Sequence, residues 1–214
     1  MIKNIQLFVF DLDGTLTESS ETIHKTTLKT FEHFGRTVHL PKEELDKRIG
    51  EHFQTIFDDL NIHVDDVEEF INVYKTIYFD FIDTTKLYPD VEKTLSDLKK
   101  DGKKIALLTT KSQDQAQNIL HHFGLDKYFD EIMGRRNGIE VKPSPEPLLH
   151  ICNSLSVLPT QTMMIGDSEL DVQCGKNAKT KTCAVTWGYR SKNILEKEKP
   201  DYIVEKIYEL LLLT

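Results

Sequence analysis

The sequence predicts an α/β protein with a doubly wound parallel (Rossmann-like) sheet and an inserted α-helical cap domain. A short apolar run at Leu7–Phe10 predicts a first strand buried on both faces, and it ends directly at a pair of aspartates. Residues 17–87 then show helical periodicity and no convincing strand. From there on, short apolar runs alternate with helical segments, which is typical of a parallel sheet. We therefore predict a core domain of residues 1–16 and 88–214 and a cap domain between them.

Composition limits the kinds of partner. The 214 residues are 39% hydrophobic and 29% charged, which suffices for one core domain with a smaller insertion. A net charge of −8 argues against nucleic acid as a partner. No apolar run approaches a membrane span, and the first residues do not form a signal peptide, so we predict no membrane partner and a cytoplasmic location. The cysteines are odd in number and form no CxxC pair, which favours free, buried thiols.

The end of the first strand carries the first candidate site. Asp11 and Asp13 follow the strand, and Gly14 allows a sharp turn. In an open α/β sheet the ligand crevice lies beyond the carboxyl ends of the strands. Two carboxylates this close repel each other unless a cation or a proton lies between them. The pair suits phosphoryl transfer, with Asp11 attacking phosphorus, Mg²⁺ beside it and Asp13 moving the proton. The alternative is a polar strand-to-turn junction.

The helical block directly follows this pair. Its apolar spacing predicts a first helix that stops at Gly35, a second from Pro41 that is broken near Gly50 and resumes over Phe53–Leu60, and a long third helix from Val67 to Phe81. A helical insertion at this point indicates a lid over the carboxyl end of the first strand. The alternative is that these are ordinary core helices.

The remainder of the chain supplies the other strands and helices of the sheet. Strands are predicted over residues 104–108, 129–133, 163–165, 183–186 and 202–204, and helices over 91–100, 113–123, 145–155, 168–178 and a final segment through 213.

Three further polar clusters fall at strand ends or just before helices. They are Thr109 with Thr110, then Lys142, and then Asp167 with Asp171. Each has an ordinary explanation, since a strand-end Thr often caps a helix, a Lys is usually solvated, and aspartates cap helices. Together they predict one crevice in which Mg²⁺ and Lys142 offset the carboxylates and the Thr109 region binds phosphate oxygens. Oxygen ligands without His or Cys favour Mg²⁺ over zinc.

These clusters, taken in order, resemble the four motifs of the haloacid dehalogenase superfamily across nearly the whole chain. The motifs are Asp11-Leu-Asp-Gly-Thr15, Leu108-Thr109-Thr110, Lys142-Pro-Ser-Pro and Gly166-Asp167-Ser168-Glu169-Leu170-Asp171. The helical insertion resembles that of the subfamily with an α-helical cap. The segments Leu87–Val91 and Val185–Tyr189 are most similar to phosphoglycolate phosphatases.

The resemblance implies a phosphatase mechanism and a cofactor. It makes Asp11 the nucleophile and Asp13 the general acid and base, with Mg²⁺ on Asp11, the backbone carbonyl of Asp13 and Asp167. The implied activity is Mg²⁺-dependent hydrolysis of a small phosphorylated metabolite through an aspartyl-phosphate. A phosphoglycolate-like substrate is favoured, and the enzyme is expected to be a monomer or a homodimer.

The resemblance also assigns the phosphate-binding residues. Thr109, the adjacent Thr110 and Lys142 would hold the phosphate, and Asp171 would orient Lys142 or a metal-bound water. Two other functions stay open. A phosphomutase on the same scaffold is less favoured because β-phosphoglucomutase relatives have Val or Ile where this chain has Thr15. A non-enzymatic phosphoacceptor module would lack a helical lid.

Substrate selection is assigned to the cap. The segment around Gly50 interrupts a helix, and Arg48 is the candidate to bind a second anionic group on the substrate, since its guanidinium can fork onto a carboxylate. The alternative for Arg48 is a solvated helix residue. Two departures from the family pattern, Asp90 and Arg135–Asn137, are expected to lie outside the chemistry.

Overall fold

The computed structural model describes residues 5–213, so the predictions that concern residues 1–4 and 214 lie outside the described part. The strands are β1 (Leu7–Phe10), β2 (Thr17–Glu18), β3 (Lys86–Leu87), β4 (Lys104–Ser112), β5 (Glu131–Arg135), β6 (Thr162–Gly166), β7 (Lys181–Val185) and β8 (Tyr202–Val204). The helices are α1 (Ser20–His33), α2 (Lys42–Asp46), α3 (Phe53–Asp59), α4 (Val67–Ile77), α5 (Val91–Lys100), α6 (Gln113–His122), α7 (Glu146–Ser154), α8 (Glu169–Asn177) and α9 (Lys192–Lys197). Short 3₁₀ helices cover Tyr78–Thr84, Asp126–Tyr128, Pro159–Gln161 and Ile207–Leu213.

Six parallel strands form the main sheet in the order β5-β4-β1-β6-β7-β8. The four side chains of β1 are fully buried because helices cover both faces of the sheet. Phe8 and Phe10 pack in one apolar cluster, whereas Leu7 and Val9 pack in another, as the period of two in a strand requires. The predicted doubly wound parallel sheet is confirmed, and its first strand lies in the middle.

Helices α1–α4 pack around an aromatic cluster. The ring of Phe31 lies 5.4 Å from that of Phe57 and 4.8 Å from that of Phe70, measured between centroids. The ring of Phe53 lies 4.8 Å from that of Tyr74. Edge-to-face and tilted pairs of this kind stabilise a core beyond the area that they bury. These rings belong to the same apolar cluster as Phe8 and Phe10 of the sheet, so the insertion packs on the core, and its exact domain boundaries stay a prediction.

The prediction that residues 17–87 contain no strand is wrong at both ends of that segment. Strands β2 and β3 pair antiparallel, with Thr17 opposite Leu87 and Glu18 opposite Lys86. Strands of two residues are too short to produce a detectable alternation, so the sequence gives no signal for them. They bring the two chain segments that connect the helical insertion to the main sheet side by side.

Several other boundaries differ from the prediction. Strand β5 covers Glu131–Arg135 instead of 129–133, β7 covers Lys181–Val185 instead of 183–186, and helix α9 was not predicted. Helix α4 ends at Ile77 and continues as a 3₁₀ helix, and the final segment is also a 3₁₀ helix. Apolar residues spaced by three and four fit both helix types, so periodicity does not separate them. Strand β4 runs through Ser112 instead of ending at Leu108. Its pairing with β5 is irregular between these two residues.

Two expectations from composition can also be compared with the structure. Cys152, Cys174 and Cys183 are free and buried, as predicted. Within residues 5–213, no helix has the length and apolar character needed to cross a membrane.

Candidate active site

The loop after β1 holds Asp11 in a fixed position. The backbone N–H of Asp11 donates to the Ile165 carbonyl of β6 at 2.9 Å, so Asp11 is still tied to the sheet. The carbonyl of Leu12 accepts from the backbone N–H of Thr17 at 2.9 Å, which closes a tight loop. Gly14 takes a φ of +79° in this loop, a conformation that favours glycine. The carboxylate of Asp11 is consequently delivered at the carboxyl edge of the central strand.

Three buried carboxylates meet at this edge. Oxygens of Asp11, Asp167 and Asp171 lie within 4.8 Å of one another. Lys142 joins them, with its Nζ 2.8 Å from Oδ1 of Asp11 and 2.6 Å from Oδ1 of Asp171. Lys142 is only 4% exposed, which excludes the interpretation of a solvated lysine. The structure thus brings together residues from three sequence motifs.

Asp171 serves both the helix and the crevice. Its Oδ2 accepts hydrogen bonds from the backbone N–H of Ser168 at 3.1 Å and from the Ser168 hydroxyl at 2.6 Å, forming a capping box at the start of α8. Its Oδ1 accepts from Lys142. Both the capping interpretation and the crevice interpretation of Asp171 therefore hold. Since both oxygens are engaged, Asp171 suits the orientation of Lys142 better than direct metal binding.

Asp167 is fixed by the loops around it. Its Oδ2 accepts from the backbone N–H of Tyr189 at 2.7 Å, and its Oδ1 lies 3.4 Å from the Thr15 hydroxyl. A Cβ atom added to Gly14 would lie 2.3 Å from Oδ2 of Asp167, and one added to Gly188 would lie 2.3 Å from its Cβ. Any side chain at either glycine would displace the carboxylate. These glycines therefore set the position of Asp167.

The crevice concentrates negative charge in a buried place. Burial raises the pKa of Asp11 to about 7, although Lys142 opposes the shift. Burial also raises the pKa of Asp167 well above its usual range, and the neighbouring Asp11 and Asp171 add to this. Burial would lower the pKa of Lys142, but Asp11 and Asp171 outweigh it and hold the lysine charged. One lysine for three carboxylates leaves excess negative charge, and a hard divalent cation such as Mg²⁺ fits this all-oxygen donor set.

Asp13 lies beside this crevice with partners of its own. Its Oδ1 accepts from the Ser19 hydroxyl at 2.5 Å, and its Oδ2 lies 3.0 Å from the Nζ of Lys111. The backbone N–H of Ser19 donates to the Tyr189 hydroxyl at 2.8 Å. The ammonium of Lys111 also lies 4.8 Å from the ring centroid of Tyr78, so it is held between a carboxylate and an aromatic face. These contacts orient the Asp13 carboxyl group.

Lys111 is a residue that the sequence analysis missed. A signal for it existed, because residues two apart in a strand share a face, so Lys111 follows Thr109 on β4. Thr109 is 3% exposed and lines a small cavity together with Lys142. Its hydroxyl accepts from the backbone N–H of Lys111 at 3.3 Å. The pairing with β5 is irregular over this stretch, and Thr110 lines a different cavity together with Asp13 and Lys111.

The cap residue chosen from the sequence has a different environment. The Nη1 of Arg48 donates to the Glu44 carbonyl at 2.7 Å and to the Glu44 carboxylate at 3.1 Å. A small cavity lies between the helical insertion and Asp13, and Arg48 does not line it. The role of Arg48 with substrate stays a prediction. Arg135 does line that cavity, and the expectation that it lies outside the chemistry stays a prediction.

The helical insertion contacts the core directly over the crevice. The loop around Gly50 in the insertion passes close to Ser168 of the core. The Ser168 hydroxyl lies 3.9 Å from the position that a Cβ atom on Gly50 would take. Arg190 of the core is buried between the two parts, with its Nε 3.0 Å from Glu169 and its Nη2 3.6 Å from Glu51 of the cap. This placement agrees with the expectation that the insertion covers the carboxyl edge of the sheet.

Comparisons with known proteins agree with this architecture. A model of the haloacid dehalogenase-like hydrolase family matches residues 8–185. Pyrophosphatase PpaX of Bacillus mycoides is 35% identical over 208 residues, covering 97% of this chain and 95% of that protein. A crystal structure described as a predicted phosphatase from Clostridium acetobutylicum is 30% identical with a TM-score of 0.82, and the match covers 99% of this chain and 100% of that one. A structure described as a predicted phosphoglycolate phosphatase from Haemophilus somnus has a TM-score of 0.87 at 24% identity, covers 100% and 99% of the two chains, and supports the fold alone.

Proposed function

The chain belongs to the haloacid dehalogenase-like hydrolases, and on this basis we propose that it is a Mg²⁺-dependent phosphatase that acts through an aspartyl-phosphate. The observation that carries the proposal is the buried Asp11 carboxylate, bound to Lys142 at 2.8 Å and grouped with Asp167 at the end of the central strand. A carboxylate held in this way can attack phosphorus, and the lysine beside it can neutralise a phosphoryl oxygen.

The residues of the crevice divide the reaction into two displacements. An oxygen of Asp11 forms a bond to phosphorus while the bond between phosphorus and the leaving oxygen breaks, and Asp13 donates its proton to that oxygen. Water then attacks phosphorus, the bond to Asp11 breaks, and Asp13 takes the proton from the water. The contacts of Asp13 with Ser19 and Lys111 hold its carboxyl group in place for these proton transfers.

The metal would be held by Asp11, Asp167 and the backbone carbonyl of Asp13. When bound, Mg²⁺ supplies positive charge that offsets the carboxylates and the transferring phosphoryl group. Thr109, the neighbouring Thr110 and Lys142 would bind the phosphoryl oxygens. Asp171 would orient Lys142, because its Oδ1 lies 2.6 Å from the Nζ of Lys142.

We propose that the substrate is small and carries a second anionic group. The name of the Bacillus mycoides relative supports pyrophosphate, and the sequence resemblance to phosphoglycolate phosphatases supports phosphoglycolate. The helical insertion over the crevice supports exclusion of large substrates such as phosphopeptides.

The test is a screen of the purified protein with Mg²⁺ against pyrophosphate, phosphoglycolate, sugar phosphates, phenyl phosphate and a phosphopeptide. We expect phosphate release from small substrates, and acid quenching followed by mass spectrometry should find a phosphoryl group on Asp11. Asp11→Asn should abolish release and labelling while the circular dichroism spectrum is retained, since an amide keeps the shape but cannot attack phosphorus. Turnover by Asp11→Asn close to that of the parent would remove Asp11 from this role. An isomerised sugar phosphate without phosphate release would indicate a phosphomutase.

A further inference from the structure

A small, partly open cavity lies between the helical insertion and the core on the Asp13 side of the crevice. It has a volume of about 60 Å³, and Asp13 is part of its wall. The insertion contributes mainly apolar side chains to it, namely Ile49, Phe53, Ile56, Ile71 and Tyr74. The core contributes polar ones, namely Lys111, Ser112, Gln115 and Arg135. Small-molecule sites are typically lined by apolar side chains together with a few polar groups that converge on the ligand.

Gln115 is the unusual member of this wall. It lies in the first turn of α6 and is 3% exposed. Within residues 5–213, its buried Nε2 has no hydrogen-bond partner. A buried amide donor without an acceptor costs free energy, and such groups are rare in folded proteins. Gln115 is also part of the cavity wall, and turning its amide towards a bound ligand would give Nε2 an acceptor.

Two cations share the cavity with Gln115. Lys111 reaches it from β4 while bound to Asp13 at 3.0 Å. Arg135 reaches it from the end of β5, where the backbone pairing of Arg135 with Ser112 fixes its distance from β4. All three side chains are therefore hydrogen-bond donors, and an amide, an ammonium and a guanidinium together suit a carboxylate or a phosphate.

Arg135 is already bound to a carboxylate. Its Nη1 and Nη2 contact the two carboxylate oxygens of Glu68 on α4 at 2.5 and 2.8 Å. This two-pronged contact is the geometry that a guanidinium uses for carboxylate and phosphate ligands. Glu68 is largely exposed, so its hold on Arg135 is weak enough for a substrate oxygen to compete. Glu51, which belongs to the cavity wall together with Asp13, lies 3.6 Å from Nη2 of Arg190, and this guanidinium offsets its charge.

We infer that Gln115, together with Lys111 and Arg135, binds the second anionic group of the substrate. This assignment rests on the proposed function and names the residues that select its substrate. The position of Asp13 indicates on which side of the crevice the leaving group lies, because the group that protonates the leaving oxygen must face the leaving group. The transferred phosphoryl group belongs at Asp11, outside this cavity, so the part beyond Asp13 is the place for the leaving phosphate or glycolate.

The test is the substitution Gln115→Leu, with Gln117→Leu as the matched control. Gln117 lies on the same helix and is exposed. For Gln115→Leu, kcat/KM on pyrophosphate or phosphoglycolate should fall by at least about tenfold more than kcat/KM on phenyl phosphate, which has no second anionic group. Comparing the losses on pyrophosphate and on phosphoglycolate shows whether the subsite prefers a phosphate or a carboxylate. The control should keep the parental ratio.

A stability measurement separates this role from a structural one. If Gln115 serves a ligand, Gln115→Leu removes an unsatisfied donor, and Tm should stay equal or rise. A structural hydrogen-bonding role predicts a lower Tm and equal losses on all substrates, and that result would overturn the assignment. Gln115→Glu provides a second variant, in which the added negative charge should weaken doubly anionic substrates more than phenyl phosphate.

A direct binding measurement tests the assignment independently of catalytic activity. Calorimetry with methylenediphosphonate and Mg²⁺ should show at least about tenfold weaker binding to Gln115→Leu than to the parent and to Gln117→Leu. Equal binding to all three proteins would refute the subsite. Absence of turnover on every substrate, with selective loss of methylenediphosphonate binding, would instead refute the proposed reaction and leave the subsite standing.

Discussion

The substitution Gly188→Ala tests whether the loop after β7 (Lys181–Val185) sets the position of Asp167. The new methyl group would lie 2.3 Å from the Cβ of Asp167 and 2.4 Å from the carbonyl oxygen of Gly14. Gly188 does not have a positive φ, so alanine brings no backbone strain of its own. The effect of the substitution is therefore steric. The new methyl group overlaps with Asp167 on one side and with the loop after β1 on the other.

The size of the effect follows from the overlap. Carbon atoms in contact lie about 3.5 Å apart, so the carboxylate or the loop must shift by roughly 1 Å. A shift of that size at a reacting group costs about 100-fold in rate, and overpacking costs about 1–3 kcal/mol of unfolding free energy. Gly188→Ala should thus lose both activity and stability.

The assay compares Gly188→Ala with Gly175→Ala in phosphate release, thermal unfolding and Mg²⁺ titration. A Cβ atom on Gly175 would lie 2.5 Å from a methyl group of Thr182, a similar overlap away from the crevice. That variant should lose stability, partly offset by the better helix propensity of alanine, yet keep activity within about threefold. Mg²⁺ should raise the Tm of the parent and of Gly175→Ala, and raise that of Gly188→Ala much less. Near-parental activity and an intact Mg²⁺ response in Gly188→Ala would refute the argument.

Two further predictions concern the metal and the cap. Activity should require Mg²⁺, disappear in excess EDTA and be inhibited by Ca²⁺, because Ca²⁺ prefers longer bonds and a higher coordination number; full phosphate release in EDTA would contradict the proposed cofactor. Arg48→Ala should change kcat/KM on pyrophosphate and on phenyl phosphate by no more than about threefold, because Arg48 does not line the cavity beyond Asp13. A loss confined to pyrophosphate would instead support the sequence-based assignment of Arg48 to the second anionic group.

The sheet could be predicted from the sequence because its strands are apolar on both faces. A run such as Leu7–Phe10 has few alternatives once an Asp pair and a glycine follow it. Some of the boundaries that failed are those for which local pattern carries no information. Strands β2 (Thr17–Glu18) and β3 (Lys86–Leu87) are too short to alternate, and the 3₁₀ helix at Tyr78–Thr84 shares its apolar spacing with an α-helix.

The carboxylates of the crevice could be found because each falls at a strand end or at a helix start, which is a local property. The partners that position them are long-range. The backbone N–H of Tyr189 holds Asp167, and the Ser19 hydroxyl holds Asp13, yet no spacing rule connects these residues in the sequence. Gly188 looks like any loop glycine until the packing shows Asp167 against it. Motifs therefore identified reacting groups, whereas the groups that orient them required the fold.

Gln115 marks the limit of sequence-based prediction most clearly. In the sequence it is one of several glutamines on a helix with apolar spacing, where a polar side chain is expected to face solvent. In the fold it is buried with an unpaired donor, an arrangement that leucine or methionine would avoid at no cost in volume. A polar group that stability alone would not favour requires another reason to be there. The reason that fits its position, beside Lys111 and in the same cavity wall as Asp13, is a ligand that brings the acceptor.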